Sequence, residues 1–318
     1  MKKGLFFSIA IACLATSCAN QSPSASEELD TPVSGKISMA VDETLTPIAY
    51  AQADIFHHHY EKAHITVKER SESDCIQDLY KDSVKTIMIG RKLDAKERAA
   101  FKAITFDPLE TPICVDAIAF LVHPSNRDTN ITYDQIMSIL RGQTTNWSQV
   151  NGKRSGDINL VFDNANSGTT SYLLNMTGEK AMPKNAYAMK THAEAVNYVA
   201  SHENAIGIIG WSWVSDSDDP RTREFLKKTR LVSVSPKGST TFYKPYQGNL
   251  IPNKYPLSRE VYMITRERRA GLASGFTAFV HGEIGQLILL KAGLLPANQQ
   301  ERNIEIKVKP VGEVGNTP

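Results

Sequence analysis

The segment from residue 37 to residue 90 decides the fold of this 318-residue chain. Three stretches in it have the length and composition of β-strands: ISMAV at 37–41, ITVKE at 65–69 and VKTIMIG at 84–90. Thr46 and Pro47 begin a helix after the first stretch, and Ser71 begins another after the second. This order of strands and helices predicts a parallel sheet covered by helices.

The same pattern continues along the chain. Further strands are predicted at 116–122, 158–162, 204–211 and 262–264, with helices after Thr132, after Ser167 and within 215–230. Trp211 and Trp213 are expected to alternate on a strand. One final helix is expected from about Ala270 toward Gly293. The predicted fold class is therefore α/β.

The N-terminus has the layout of a bacterial secretory signal. A basic pair precedes an apolar stretch at 4–15 that is too short to span a bilayer. The next residues, ATSC at 15–18, resemble a lipoprotein signal, which implies cleavage after residue 17 and lipidation of Cys18. Lipidation of Cys13 and an ordinary signal peptide are the alternatives. Residues 1–17 are thus a predicted signal peptide.

Residues 18–35 are polar and predict a flexible tether. Lysine and arginine number 36, and aspartate and glutamate 34, so removal of two lysines with the signal makes the mature chain neutral. A neutral chain argues against nucleic-acid binding, which needs a basic face.

Known catalytic and metal-binding motifs do not occur in the sequence. It has no Gly-x-Ser-x-Gly, HExxH or P-loop motif, so we predict no enzyme activity, no cofactor and no metal. Cys75 and Cys114 either form one disulfide or stay free thiols.

Three loops at strand-to-helix junctions are candidates for anion binding. Unpaired N–H groups and the positive end of a helix meet at such junctions. The candidate residues are Thr44 and Leu45 in the first loop, Ser71 and Ser73 in the second, and Ser167, Gly168, Thr169 and Thr170 in the third. An ordinary capping turn is the alternative for each loop, because serine and threonine are common at helix N-termini.

Several segments resemble phosphate-binding periplasmic proteins of the PstS type. In chain order they are DAIA at 116–119, ITYDQ at 131–135, GQTTNWS at 142–148, NAIGIIG at 204–210, YPLSR at 255–259, GQ at 285–286 and GLLP at 293–296. The resemblance spans residues 37–300. It implies a type II periplasmic-binding-protein fold, with two lobes, a ligand cleft between them and a double-crossing hinge.

The resemblance also implies a domain organisation and a function. Lobe one would comprise 36–120 and 250–307, lobe two 121–249, and 308–318 would be a tail. The protein would be a monomeric, lipid-anchored solute-binding protein on the periplasmic side of the bacterial cell envelope. It would capture phosphate or a similar oxyanion for an ABC permease complex. A ligand-free scaffold or interaction lipoprotein with the same fold is the alternative.

The charged positions depart from the pattern of that family. Its members place an arginine four residues before the Ser-Gly-Thr motif, where this chain has Asp163. The position of their aspartate, which accepts a proton from phosphate, is Lys85 here, close to Arg91.

Three interpretations stay open. In the first, Asp163 accepts the proton and Lys85 or Arg91 supplies the cation. In the second, the ligand is another oxyanion or a small polar organic molecule. In the third, Lys85 and Asp163 form a salt bridge across the cleft, which binds nothing.

Overall fold

The computed structural model describes residues 29–152, 154–252 and 254–298. The predicted signal peptide, Cys13, Cys18 and most of the tether lie outside these ranges, as does the predicted tail. Within the described part, no helix combines the length and apolar character needed to cross a bilayer.

The described residues form strands, helices and single 3₁₀ turns. The strands are β1 Gly35–Asp42, β2 Ala63–Arg70, β3 Thr86–Ile89, β4 Leu109–Val122, β5 Asn130–Thr132, β6 Asn159–Phe162, β7 Ala186–Ala188, β8 Ala205–Gly210, β9 Arg230–Leu231, β10 Ser233–Ser235, β11 Ser258–Thr265 and β12 Leu295–Pro296. The helices are α1 Thr46–His59, α2 Glu72–Tyr80, α3 Ala95–Ala103, α4 Tyr133–Leu140, α5 Gly168–Thr177, α6 His192–Ser201, α7 Pro220–Lys228, α8 Leu272–His281 and α9 Glu283–Lys291. The 3₁₀ turns are Glu43–Leu45, Trp147–Gln149, Trp211–Trp213 and Gln247–Asn249.

One long mixed sheet runs through the molecule in the order β2-β1-β3-β11-β4-β8-β6-β7. β1 is parallel to β2 and β3, and β6 is parallel to β7 and β8, whereas β11 and β4 run antiparallel to their neighbours. We call the half that contains β1 the first sub-sheet and the half that contains β6 the second.

β4 joins the two sub-sheets. Its residues 109–117 pair with β11, and residues 118–122 pair with β8. From Ile113 onward almost every side chain of β4 is buried, because both faces of the strand lie under other elements. The partner changes between residues 117 and 118, and the predicted lobe ranges stay predictions.

The βαβαβ order predicted for residues 37–90 is confirmed by β1, α1, β2, α2 and β3. The residues at the helix N-termini explain where these helices begin. Pro47 occupies the first turn of α1, and the Ser71 side chain accepts a hydrogen bond from the Asp74 N–H at the start of α2. Thr132 and Gln135 form a reciprocal capping box on α4.

Two predictions of local structure are wrong. Trp211 and Trp213 lie on a 3₁₀ turn after β8, because each indole N–H finds a carbonyl acceptor outside the sheet, at Gly293 and Glu43 respectively. The final helix is two helices, α8 and α9, because the backbone is extended at Gly282.

The tether is shorter than predicted. The Asp30 carboxylate accepts a hydrogen bond from the Leu272 N–H at 2.7 Å, and Pro32 lies against Gly275 on α8. β1 itself begins at Gly35. The globular part therefore starts before residue 36.

The two cysteines are free thiols in this structure. Cys75 packs in the apolar cluster under α2 and Cys114 in the larger cluster around β4. Burial raises the pKa of both thiols, so they behave as small apolar side chains.

Candidate functional site

The carboxyl ends of the parallel strands of both sub-sheets lie against each other, and we call the region between them the cleft. Asp42 ends β1, Arg91 follows β3 and Asp163 follows β6. Ligands bind in open α/β sheets outside the carboxyl ends of the strands. The side chains that follow these strands are therefore the candidate site.

The N-terminus of α5 supplies the hydrogen-bond donors on the side of the second sub-sheet. The Ser167 hydroxyl caps the helix, accepting from the Thr170 N–H at 3.2 Å and donating to Asp163 Oδ1 at 2.9 Å. Thr169 Oγ1 is buried and has no hydrogen-bond partner among the described residues. The first N–H groups of a helix have no acceptors inside it, and the helix dipole is positive there. The third predicted loop, Ser167–Thr170, is thus buried at the N-terminus of α5.

Two carboxylates of the first sub-sheet lie against this helix end. Asp42 Oδ1 accepts from the Thr44 N–H at 2.9 Å, and Asp42 Oδ2 lies so close to Gly168 that a Cβ there would overlap it. Glu72 Oε2 lies 3.0 Å from the position such a Cβ would take. The absence of a side chain at Gly168 is what allows the two sub-sheets to approach.

The pKa of Asp42 is raised to about 6. Burial is the main cause, the Glu72 charge adds to it, and the Arg259 guanidinium opposes it. Asp42 Oδ2 has no hydrogen-bond partner within the described ranges. A proton held at this oxygen removes an otherwise uncompensated buried charge.

The first predicted loop contacts α5 from the side of the first sub-sheet. The Thr44 side chain is buried, and its Oγ1 accepts a hydrogen bond from Arg259 Nη2 at 2.7 Å. The Thr44 carbonyl accepts from the Ser212 hydroxyl at 2.8 Å, which ties the loop to the turn after β8. The Leu45 side chain is buried in the core, so Leu45 can offer a ligand only its backbone.

The second predicted loop lines an open cavity of about 420 Å³ beside α5. Ser73 is exposed and contributes to this wall together with Glu72, Arg91 and Asn166. The Ser71 hydroxyl caps α2 and donates to Asp74 Oδ2 at 2.8 Å. Ser71 and Ser73 thus lie at the edge of the cleft.

Arg91 reaches the cavity wall, but other protein groups already bind its guanidinium. Nε donates to Glu72 at 2.8 Å, and the two terminal nitrogens donate to Glu97 at 2.8 and 2.9 Å. These contacts raise the pKa of Arg91, with Glu97 as the largest cause. A ligand would have to compete with two carboxylates for this cation.

The prediction that Lys85 lies in the cleft is wrong. Lys85 precedes β3, at the end of the strand opposite the cleft, and its Nζ pairs with Asp82 at 3.0 Å. The alternative of a Lys85–Asp163 salt bridge is wrong for the same reason.

Asp163 is buried beside α5 and faces a histidine. His192, at the start of α6, places Nε2 3.1 Å from Asp163 Oδ2 without a well-aligned hydrogen bond. The His192 ring stacks on Trp213 with centroids 4.0 Å apart. Asp163 Oδ1 is already occupied by the Ser167 hydroxyl and the Asn164 N–H. The role of Asp163 as proton acceptor stays a prediction.

Glu43 contacts the second sub-sheet from across the cleft. Its Oε2 accepts a hydrogen bond from Asn164 Nδ2 at 3.3 Å. Burial and then the Asp163 charge raise the pKa of Glu43 to about 7. Acidic groups of both sub-sheets therefore converge on the cleft.

Five residues of this cleft were missed from the sequence: Asp42, Glu72, Asp116, Arg259 and His192. Arg259 and Asp116 are cross-strand partners on β11 and β4, and Arg259 Nη2 lies 3.1 Å from Asp116 Oδ2. Both belong to segments that carried the family resemblance, YPLSR and DAIA, so a signal for them was present. Across the described ranges, no group of three His, Cys, Asp or Glu side chains is arranged to hold a metal ion.

Several known proteins are similar to this chain. A family model described as a PBP superfamily domain matches residues 26–283. The phosphate-binding protein PstS of Pseudomonas aeruginosa is 24% identical over 285 residues, which cover 83% of this chain and 84% of that protein. PstS of Borreliella burgdorferi is 25% identical over 270 residues, covering 81% of this chain and 89% of that protein.

A structure from Clostridium perfringens with bound phosphate has the same fold. The TM-score is 0.69 at 24% identity, with 83% of this chain and 100% of that chain covered. The predicted resemblance to the PstS type is thereby confirmed. The chain belongs to the PBP superfamily, and its fold is the α/β fold of type II periplasmic binding proteins.

Proposed function

We propose that this chain is the solute-binding component of an ABC importer and captures phosphate or a closely similar oxyanion in the cleft. The observation that carries the proposal is the buried N-terminus of α5, where Ser167, Gly168 and Thr169 face the first sub-sheet. The names of the relatives support phosphate as the ligand. Ser73 and Arg91 would border the bound anion from the cavity wall, and Ser71 would lie next to them at the start of α2.

Donors and acceptors in the cleft match a protonated tetrahedral anion. The α5 N–H groups and the Thr169 hydroxyl would donate to unprotonated oxygens. The Thr44 hydroxyl, which accepts from Arg259, keeps its own hydrogen for the ligand. Asp42 Oδ2 and Asp163 Oδ2 would accept protons carried by phosphate, and sulfate has none at neutral pH.

Lobe closure would couple binding to transport. Groups from both sub-sheets would contact one ligand, so the ligand would bind the closed arrangement more tightly and shift the protein toward it. The closed protein would then dock on the permease. Nothing in this scheme requires bond making or breaking in the ligand, so the protein would act as a receptor and not as an enzyme.

The sequence and the relatives support a location outside the cytoplasm. We infer that residues 1–17 direct export and that Cys18 carries the lipid anchor, which would hold a monomeric receptor on the periplasmic side of the envelope. Replacement of Cys18 by serine would then release the protein from membrane fractions.

One observation favours the ligand-free scaffold as a second candidate. Asp42 and Glu72 already lie against Gly168, where an anion at the helix N-terminus would sit. A ligand would have to displace these carboxylates or bind beside them. The scaffold hypothesis therefore expects no binding of any oxyanion.

Calorimetry on the purified mature protein, dialysed free of phosphate, separates these candidates. We expect saturable binding of phosphate at one site per chain and at least tenfold weaker binding of sulfate, because sulfate leaves buried carboxylate oxygens without a proton. Equal affinity for the two anions would contradict the proposed proton acceptors. Absence of heat with both anions would favour the scaffold.

Thr169→Val is expected to weaken phosphate binding about tenfold, since it removes one hydroxyl donor to a charged ligand while keeping the side-chain volume. Lys85→Ala is the matched control and should leave the affinity unchanged, because Lys85 lies at the far end of β3. The same titration measures both variants. A loss with Lys85→Ala, or none with Thr169→Val, would contradict the assigned site.

A further inference from the structure

The Arg259 guanidinium is buried among the segments that follow β1 and β3 and the end of β8. Arg259 is the second residue of β11, and only 4% of its surface is exposed. Because β11 is antiparallel to β3, its amino end is the end that reaches the cleft. The guanidinium lies against Gly90, which follows β3.

Only part of this guanidinium is bound by the protein. Nη2 donates to Thr44 Oγ1 at 2.7 Å and to Asp116 Oδ2 at 3.1 Å, and Nε donates to Asp116 Oδ2 at 3.3 Å. Nη1 is buried and has no partner in the part of the chain that the structure describes. A buried charged donor without an acceptor is costly, so an acceptor from outside the protein is expected there.

Arg259 acts on groups from both sides of the cleft. Its charge opposes the rise in the pKa of Asp42, which lies against Gly168. It also opposes the rise in the pKa of Tyr172, a residue of α5 whose hydroxyl donates to the Ser258 carbonyl. A cation at this position can attract an anion held between the two sub-sheets.

The other cations considered for this role are engaged elsewhere. Lys85 pairs with Asp82 outside the cleft, and the Arg91 guanidinium is held by Glu72 and Glu97. The position before Ser167 where the related family places an arginine is Asp163. Arg259 therefore keeps one terminal nitrogen without a partner among the described residues, whereas Lys85 and Arg91 are both paired with carboxylates.

We propose that Arg259 is the cation that binds the oxyanion, through Nη1, and that Asp116 is the residue that positions its guanidinium. This proposal rests on the proposed function, since it assigns the ligand contact that the sequence left open. Asp116 fixes the guanidinium through Nε and Nη2, which turns Nη1 outward from the pair. A planar guanidinium held in this way selects an oxyanion by geometry as well as by charge.

The test uses the mature protein and calorimetry with phosphate, arsenate and sulfate. Arg259→Gln combined with Asp116→Asn removes both members of the buried ion pair, so neither partner is left as an unpaired charge. We expect this double variant to remain folded by circular dichroism and to bind phosphate about 30-fold more weakly than the wild type. Arg266→Gln is the control, because Arg266 follows the opposite end of β11 and donates to the Leu79 carbonyl.

A folded double variant with wild-type phosphate affinity would overturn the Arg259 assignment and leave the proposed function intact. If wild-type protein binds another of the three anions and not phosphate, the choice of phosphate fails and the Arg259 assignment is judged on the anion that binds. Absence of binding by the wild type with all three would overturn both. If the double variant does not fold, the phosphate affinity of Arg259→Lys tests the assignment. It keeps a charge opposite Asp116, and we expect about a tenfold loss of affinity; unchanged affinity would overturn the assignment.

Discussion

Asp42→Asn is expected to stabilise the ligand-free protein by about 3 kcal/mol at pH 8 and to change its stability little at pH 4. The pKa of Asp42 is raised from 3.8 to about 6 in the folded protein. The folded state therefore holds this proton more tightly than the unfolded state. The contribution of Asp42 to stability is therefore largest below pH 4, falls as the pH rises from about 4 to about 6, and stays reduced above that.

Asparagine imitates the protonated aspartate at every pH. Its Oδ1 can keep the hydrogen bond from the Thr44 N–H, and its amide can donate where the proton would be. The variant thus avoids the cost of ionising a fully buried carboxyl group. Below pH 4 the wild type is protonated too, so the two proteins should converge.

Urea unfolding of the ligand-free protein between pH 4 and pH 8 measures this effect. Asp107→Asn is the matched control, because Asp107 is exposed and lies outside the cleft. An Asp42→Asn stabilisation that does not vary with pH would mean that Asp42 stays ionised in the folded protein. A destabilisation at pH 8 would mean that its charge is needed opposite Arg259.

Glu43 acts in the same direction at higher pH. Its pKa is raised to about 7, so its ionisation also disfavours the folded, closed arrangement as the pH rises toward neutrality. Glu43 is partly exposed, so solvent screens its charge and reduces its contribution to stability. Phosphate can bring its own protons to these carboxylates and relieve the cost, whereas sulfate cannot.

The elements near the site were predictable because their signals are local. Ser71, Thr132 and Ser167 each accept a backbone N–H at a helix start, and such caps are visible within four residues of sequence. The candidate anion-binding loop at the N-terminus of α5 was found in this way. The break at Gly282 was not, because the extended backbone there interrupts a continuous apolar pattern.

The charges of the site depend on contacts between distant segments, and sequence reasoning failed there. Lys85 was placed in the cleft by its resemblance to a family position, although it precedes β3 and ligands bind at the carboxyl ends of parallel strands. Arg259 was overlooked because it meets Asp116 only through the antiparallel pairing of β11 with β4, 143 residues apart. His192 meets Asp163 only when α6 packs against β6.

Gly168→Ala is expected to lower phosphate affinity about 100-fold. In the closed arrangement the new Cβ would overlap Asp42 Oδ2 and lie 3.0 Å from Glu72 Oε2, so the two sub-sheets could not approach to the same distance. Alanine is the better helix former, so α5 itself should not weaken. The loss would therefore report on closure across the cleft, and calorimetry with phosphate measures it.

The Asp42→Ala background separates this overlap from other effects of the substitution. Without the Asp42 carboxylate, the new Cβ overlaps fewer atoms. Gly168→Ala should therefore lower phosphate affinity only a few-fold in this background. The difference between the losses in the two backgrounds measures the coupling between Gly168 and Asp42. Gly248→Ala is the matched control, since nothing lies within 4 Å of the position of its Cβ. An equal loss in both backgrounds would mean that Gly168 contributes through its backbone contact with the ligand. Wild-type affinity in Gly168→Ala would mean that the sub-sheets need not approach at this point for phosphate to bind.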